Sequence, residues 1–431
     1  MRSDYERDDE LPAWASKLMN LTLFQNLVLR PVRQHKLISH RVMSSLILPE
    51  FKGSTVDVSI IHAGQITVPA VYILQSPIPG HDLLDIPCYS FLIENKRRKK
   101  VLFDLGPRKD WREKLPPTRS TMKTDGSLKV LGQIESARAV VKIEQDVADQ
   151  LSKAKIPLES INTIIWSHHH MDHTGDPSLF PPSTELVVGP GFKLDKTTSL
   201  GYPMNADALV NDDAFLGRNL VELDFSGAVN IGGFLAIDFF QDGSLYLLRS
   251  NGHSEYLYTV MTGITNTFKI ANNHISALAR TSENHFILLG GDVAHHPGEY
   301  RPTEHLPLPI EIRPSPLDKV TCSASACPSY IFENISPTTA KAKGKKTKVT
   351  PFYELNAALN EDLESAEASL DKMTVFDGSA NVLIIIAHDA SLLDILPFFP
   401  KKITDWNVEG YKEAGAWRFL KDFSGAISRS M

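Results

Sequence analysis

Cysteine is scarce in this sequence: Cys88, Cys322 and Cys327 are the only three in 431 residues. So sparse and odd a set leaves no room for a disulfide framework, and a reducing, cytoplasmic setting is the simpler expectation. Four residues separate Cys322 from Cys327 and no second pair accompanies them, so two ordinary thiols are expected rather than a zinc knuckle. Excess positive charge is lacking as well. Lys and Arg total 45 against 51 Asp and Glu, for a net charge of -6, which offers polyanions no general attraction and excludes nucleic acid as an expected partner. No run reaches the length and apolarity of a membrane span. The charged segment Met1 to Glu10 is followed by Pro12 instead of an apolar stretch, which argues against a secretory signal. No internal repeat is apparent.

What is present is enough apolar material, 42% of the chain, to bury a large core. Residues 1–54 mix apolar and basic positions and read as a helical or extended N-terminal arm without catalytic residues. From Thr55 short apolar runs alternate with turn signals: Val56 to Ile61, Ala70 to Leu74, Tyr89 to Ile93 and Lys100 to Asp104 are expected strands. The basic run Asn95 to Lys100 falls between two of them, where a solvated hairpin turn is expected. Apolar residues at helical spacing predict a helix over Ser136 to Ala154, and Ile161 to Trp166 returns to strand character. Strands and helices interleave, which indicates an α/β architecture. Residues 301–351 are rich in Pro, Ser and Thr, end in a Lys-rich run, and read as a mobile insertion. Glu354 to Met373 predicts another helix, buried through Leu355, Leu359, Leu363, Ala366 and Leu370, and residues 401–431 form a C-terminal extension packed on the domain.

Chemistry concentrates at the end of the Ile161 to Trp166 strand. His168, His170, Asp172 and His173 place four metal-ligand side chains within six residues, where they would compete or repel without a cation among them. With 15 His in the chain, such offsets arise by chance in roughly one chain in a thousand if residues are placed independently. Four other apolar runs end in the same way. Val101 to Phe103 leads to Asp104, Leu245 to Leu248 to His253, Phe286 to Leu289 to Asp292, and Val382 to Ala387 to His388. Ligands distant in sequence can converge beyond the carboxyl ends of such strands.

The segments Phe103-Asp104-Leu105-Gly106, Ser167 to Asp176, Gly252-His253-Ser254, Gly290-Gly291-Asp292 and Ala387-His388-Asp389 resemble, in order, those of the metallo-β-lactamase superfamily, and within it the branch of N-acyl-homoserine lactonases. The resemblance covers residues 55–400. It implies a four-layer αβ/βα sandwich with two central mixed sheets and two divalent metal ions, for which His and Asp ligands admit zinc, iron or manganese, zinc foremost. It further implies that His168, His170 and His253 hold one ion, that Asp172, His173 and His388 hold the other, and that Asp292 bridges them, while Asp104 orients a ligating histidine from behind. His169 and Met171 are expected to point away. Two such metals can turn a shared water into hydroxide and polarise a carbonyl, so hydrolytic opening of a lactone or lactam is the leading expectation. A glyoxalase II-type thioesterase follows, and then a non-catalytic metal-binding protein. The expected partner is a small molecule with a lactone, lactam or thioester carbonyl. One departure stands out: three residues after Asp292 the lactonases carry a substrate-contacting tyrosine, and here His295 takes its place, as a candidate hydrogen-bond donor or general acid.

Overall fold

A strand buried on both faces needs apolar residues without alternation, and the runs Val-Leu-Ile-Ile-Ile over Val382–Ile386 and Phe-Ile-Leu-Leu over 286–289 are of this kind. The computed structural model describes residues 46–114, 139–195, 198–206, 208–253, 255–262, 265–317, 326–333, 335 and 347–430. Most of the expected N-terminal arm, residues 136–138, Cys322 and most of the Lys-rich run lie outside the described residues.

The first sheet contains β1 (Val56–Pro69), β2 (Leu83–Asn95), β3 (Lys100–Phe103), β4 (Val140–Lys142), β5 (Ile161–Ile165), β6 (Glu185–Val188) and β7 (Leu220–Glu222), ordered β4-β1-β2-β3-β5-β6-β7. Its β4 to β3 portion is antiparallel and its β3 to β7 portion parallel. The chain then runs through β8 (Val229–Ile231), β9 (Phe234–Asp238) and β10 (Leu245–Arg249), a hairpin of β11 (Glu255–Thr262) and β12 (Thr265–Asn272), and on to β13 (Ile275–Arg280) and β14 (Phe286–Gly291). A short pair, β15 (Glu311–Ile312) with β16 (Cys327–Pro328), precedes β17 (Val382–Ile386). The second sheet is ordered β17-β14-β13-β10-β9-β8, with β14 and β17 parallel.

Side chains alternate between two cores, as the pleat demands. Val101 and Phe103 of β3, Ile287 and Leu289 of β14, and Leu383 and Ile385 of β17 meet in the layer between the sheets. Leu102 turns outward to Val147 and Leu151 of the helix Val147–Lys153. Phe286, Leu288, Ile384 and Ile386 turn outward to Leu370, Met373 and Phe376 of the helix Leu363–Asp377. Helix, sheet, sheet and helix are therefore the four expected layers. Each fully buried Leu or Ile in them contributes about 1.5–3 kcal/mol.

A further core lies at the far ends of β1 and β2, where Ile66, Val68 and Ile86 pack with Leu308, Ile312, Phe332, Phe419 and Phe423. The described parts of 301–351 and of the C-terminal extension contribute to this core. The basic turn after β2 is solvated, and Asn95 Oδ1 accepts the backbone N–H groups of Arg97 and Lys99 at 2.9 and 3.0 Å.

Three expectations need correction. Ser136 to Ala154 is not one helix: the β-branched pair Val140-Val141 joins the edge of β1 as β4, and the helix starts only after Asp146, whose side chain caps it from Asp149 N–H. The helix expected from Glu354 starts at Leu363, because Asp362 caps it by accepting Ser365 N–H at 3.1 Å. Ala70–Ile73 closes into one helical turn after β1 instead of a strand, with Leu74 N–H donating to Ala70 C=O at 2.7 Å.

Candidate metal centre

The five segments singled out in the sequence all leave their strands at the carboxyl ends: Asp104 after β3, His168 to His173 after β5, His253 after β10, Asp292 after β14 and His388 after β17. The parallel pairings β3 with β5 and β14 with β17 put these ends on one rim. Glycine makes one approach possible. At Gly252 φ is +120° and an added Cβ would lie 2.1 Å from Ala366 N, so only glycine lets the backbone pass the helix Leu363–Asp377 to deliver His253.

Two donor sets meet at Asp292. In the first, His253 Nε2 lies 3.1 Å from His170 Nδ1 and 3.4 Å from Asp292 Oδ2, with His168 Nε2 3.8 Å from that oxygen. In the second, His173 Nε2 and His388 Nε2 each lie 3.2 Å from Asp292 Oδ1, and Asp172 Oδ2 is 3.4 Å from His388 Nε2. Within each set the ligand atoms all lie within 4.8 Å of one another. Tetrahedral zinc with bonds of about 2.0–2.1 Å has ligand atoms about 3.3 Å apart, so both sets fit a divalent ion.

The hydrogen bonds behind these side chains aim the correct atoms. His173 Nδ1–H donates to Asp104 Oδ2 at 2.9 Å and His388 Nδ1–H to Pro87 C=O at 2.8 Å, which leaves both Nε2 lone pairs facing the centre. His168 Nε2, His173 Nε2 and Asp292 Oδ1 are buried without a hydrogen-bond partner. Such orphaned acceptors cost free energy unless a cation satisfies them. Burial, reinforced by neighbouring imidazoles, holds His168 and His170 well below the ordinary imidazole range. Burial also opposes protonation of His173 and His388, but there the Asp292 carboxylate, with Asp172, outweighs it and raises both. Burial works against an ionised Asp292, yet His173 and His388 hold it well below the usual carboxylate range. A divalent ion seated among these groups would take the place of the protons that His173 and His388 otherwise attract.

Around the two sets, His295 is buried, with Nε2 3.4 Å from Asp292 Oδ2 and its ring stacked on that of His388 at 5.9 Å. Its neighbour His296 turns away: it accepts Gly298 N–H at Nδ1 and meets Asp422 Oδ2 at 3.2 Å through Nε2. His169 packs in the protein with Nδ1 3.3 Å from Asn273 Nδ2, and it borders the pocket, as does Met171, so neither is remote from the site. That pocket opens over the donor sets, with apolar walls that include Ile66, Val68, Ile86, Leu209 and Leu359. The walls that β1 and β2 contribute, Ile66, Val68 and Ile86, have no mark in the sequence, and neither has His274, whose Nε2 accepts Asp292 N–H at 3.0 Å.

Residues 84–189 match the metallo-beta-lactamase superfamily. A gamma-lactamase from Fusarium pseudograminearum is 37% identical over 399 residues, 90% of this chain and 86% of the relative. A metallo-hydrolase from Annulohypoxylon moriforme is 34% identical over 377 residues, 86% of this chain and 89% of the relative. Among solved structures, a quorum-quenching N-acyl homoserine lactone hydrolase has a TM-score of 0.48 at 15% identity, over 81% of this chain and 99% of that chain. The chain belongs to the metallo-β-lactamase superfamily and is a hydrolase of that class.

Proposed function

We propose that this hydrolase opens a cyclic ester or amide, a lactone or lactam, and does so with two divalent ions, zinc first among them. His168, His170, His253 and Asp292 hold one ion, and Asp172, His173, His388 and Asp292 the other. The observation that carries the reading is the convergence of two donor sets on the two oxygens of one buried carboxylate, beneath a pocket. When bound, such ions supply Lewis acidity toward a carbonyl oxygen and lower the pKa of water.

The chain's own residues supply the rest. Asp292 offers one oxygen to each set and so fixes their spacing. Asp172, 18% exposed at the pocket floor, accepts a hydrogen bond from the attacking water. His295, on the pocket wall, holds the proton that the departing oxygen or nitrogen takes up.

The walls support a neutral ring as substrate. Besides the donor sets, the described residues lining the pocket are apolar apart from His169, His295 and Glu361, with no Lys or Arg among them. An anionic thioester such as a glutathione conjugate would want a cationic anchor. The gamma-lactamase relative favours a lactam within this class.

The test is a panel of neutral lactones, lactams and thioesters offered to zinc-loaded and chelator-treated protein. Hydrolysis of a ring substrate that chelation abolishes and zinc restores is the expected result. Turnover of thioesters alone, or of nothing, would remove the ring-opening assignment.

A further inference from the structure

We infer that His274 is a positioning residue that fixes Asp292 between the two donor sets, through a hydrogen-bond chain running from Asp292 N–H to Gly290 C=O. The inference rests on the two-ion reading above. His274 is fully buried in the short link between β12 and β13. Its Nδ1 lies 2.9 Å from Ser250 C=O and 2.8 Å from Ser250 Oγ. A carbonyl only accepts, so Nδ1 carries the proton, and Nε2 is left as the acceptor for Asp292 N–H at 3.0 Å.

The direction of every remaining bond then follows. Ser250 Oγ lies 2.8 Å from Ser276 Oγ, and the Ser276 hydroxyl donates to Gly290 C=O at 3.0 Å. Ser276 has spent its proton on that carbonyl, so Ser250 donates to it. The chain therefore grips the turn Gly290-Gly291-Asp292 at both ends, and each hydroxyl and ring nitrogen in it has one consistent role.

The turn between is moulded to the ring. Gly291 has φ +56°, and a Cβ there would lie 2.9 Å from His274 Nε2. The same link reaches the other ligand segments. Ile275 N–H donates to Ser167 C=O at 2.8 Å, directly before His168, and Ser250 lies three residues before His253. The His274 ring also packs 5.2 Å from that of His168 and 5.9 Å from that of His253. An apolar side chain of similar size would fill the space but leave Asp292 N–H buried without an acceptor. The carboxylate would then be free to favour one donor set over the other.

The experiment compares wild type with His274→Leu, His274→Gln and Ser250→Ala. Zinc affinity and stoichiometry are read by chelator competition, and kcat and KM are measured on the ring substrate that turns over fastest. The expected result for His274→Leu is zinc held about ten- to hundred-fold more weakly, with kcat reduced at saturating zinc and KM little changed. Gln, whose side-chain oxygen can accept Asp292 N–H, should recover most of the affinity. Ser250→Ala removes only the hydroxyl link, should weaken zinc in the same direction by less, and carries the test if His274→Leu does not fold. Wild-type zinc affinity in both His274→Leu and Ser250→Ala, or in whichever of them folds, would overturn the inference, whatever the stability of the variants. So would failure of Gln to improve on Leu. Wild type that binds fewer than two zinc ions and opens no ring would instead sink the two-ion reading itself, and this inference with it.

Discussion

At Asp104 the backbone turns left-handed, with φ 59°, and its carboxylate comes to rest under two groups at once. Oδ1 accepts Ser167 N–H at 2.6 Å and Oδ2 accepts His173 Nδ1–H at 2.9 Å. Asp104→Asn keeps the size but weakens the charge-assisted bond to His173, so it should lower zinc affinity by about ten- to hundred-fold, measured by chelator competition. His295 acts differently, because it stands outside both donor sets. His295→Phe should keep two zinc ions and lose about a hundredfold in kcat; loss of metal in this variant would mean that His295 is a ligand. The His and Asp side chains that meet in the two donor sets were legible in the sequence as a group, because metal chemistry needs a narrow choice of side chains at fixed offsets after strands. His274 was not legible, since one histidine between two strands has no spacing to mark it, and its role depends on a neighbour 18 residues away.

Elements set these side chains through their ends. The strand runs were readable as buried strands, and their alternation between inner and outer cores follows from the pleat. Helix boundaries were not. Leu355 and Leu359 share helical spacing with Leu363, but Asp362 and its cap on Ser365 start the helix late, which frees Leu359 for the pocket wall. Hydrophobic periodicity cannot separate a buried loop from a helical turn when both face the core. The contact of the helix Leu363–Asp377 with the β10 loop is itself testable. Gly252→Ala places a side chain at φ +120° and against Ala366, so it should cost about 1–3 kcal/mol in urea unfolding and displace His253 enough to reduce zinc affinity. An unchanged unfolding midpoint would remove the close approach from the account.

Across the whole molecule, distant segments close over the far ends of β1 and β2. His81, in the connection between those strands, has Nδ1 2.7 Å from the Tyr353 hydroxyl, and its ring packs on His296 and Phe423. Burial, with the nearby His296, lowers its pKa from 6.5 to about 4. The unfolded chain therefore takes up this proton first as pH falls, and stability should be lost between about 6.5 and 4, by up to roughly 3 kcal/mol. Urea unfolding of chelator-treated protein at pH 7 and pH 4.5 checks this, and His81→Gln should flatten the difference. Contacts of this kind join segments some 215 residues or more apart (His81 to His296), which is why the packing of the 301–351 and C-terminal segments could not be read from composition.

The most direct test of the two-ion centre is a zinc count on purified wild type and Asp292→Ala. Two zinc ions per wild-type chain are expected, and fewer in the variant with hydrolysis lost alongside. Two tightly held ions in Asp292→Ala, or fewer than two in the zinc-saturated wild type, would contradict the two-ion centre bridged by Asp292.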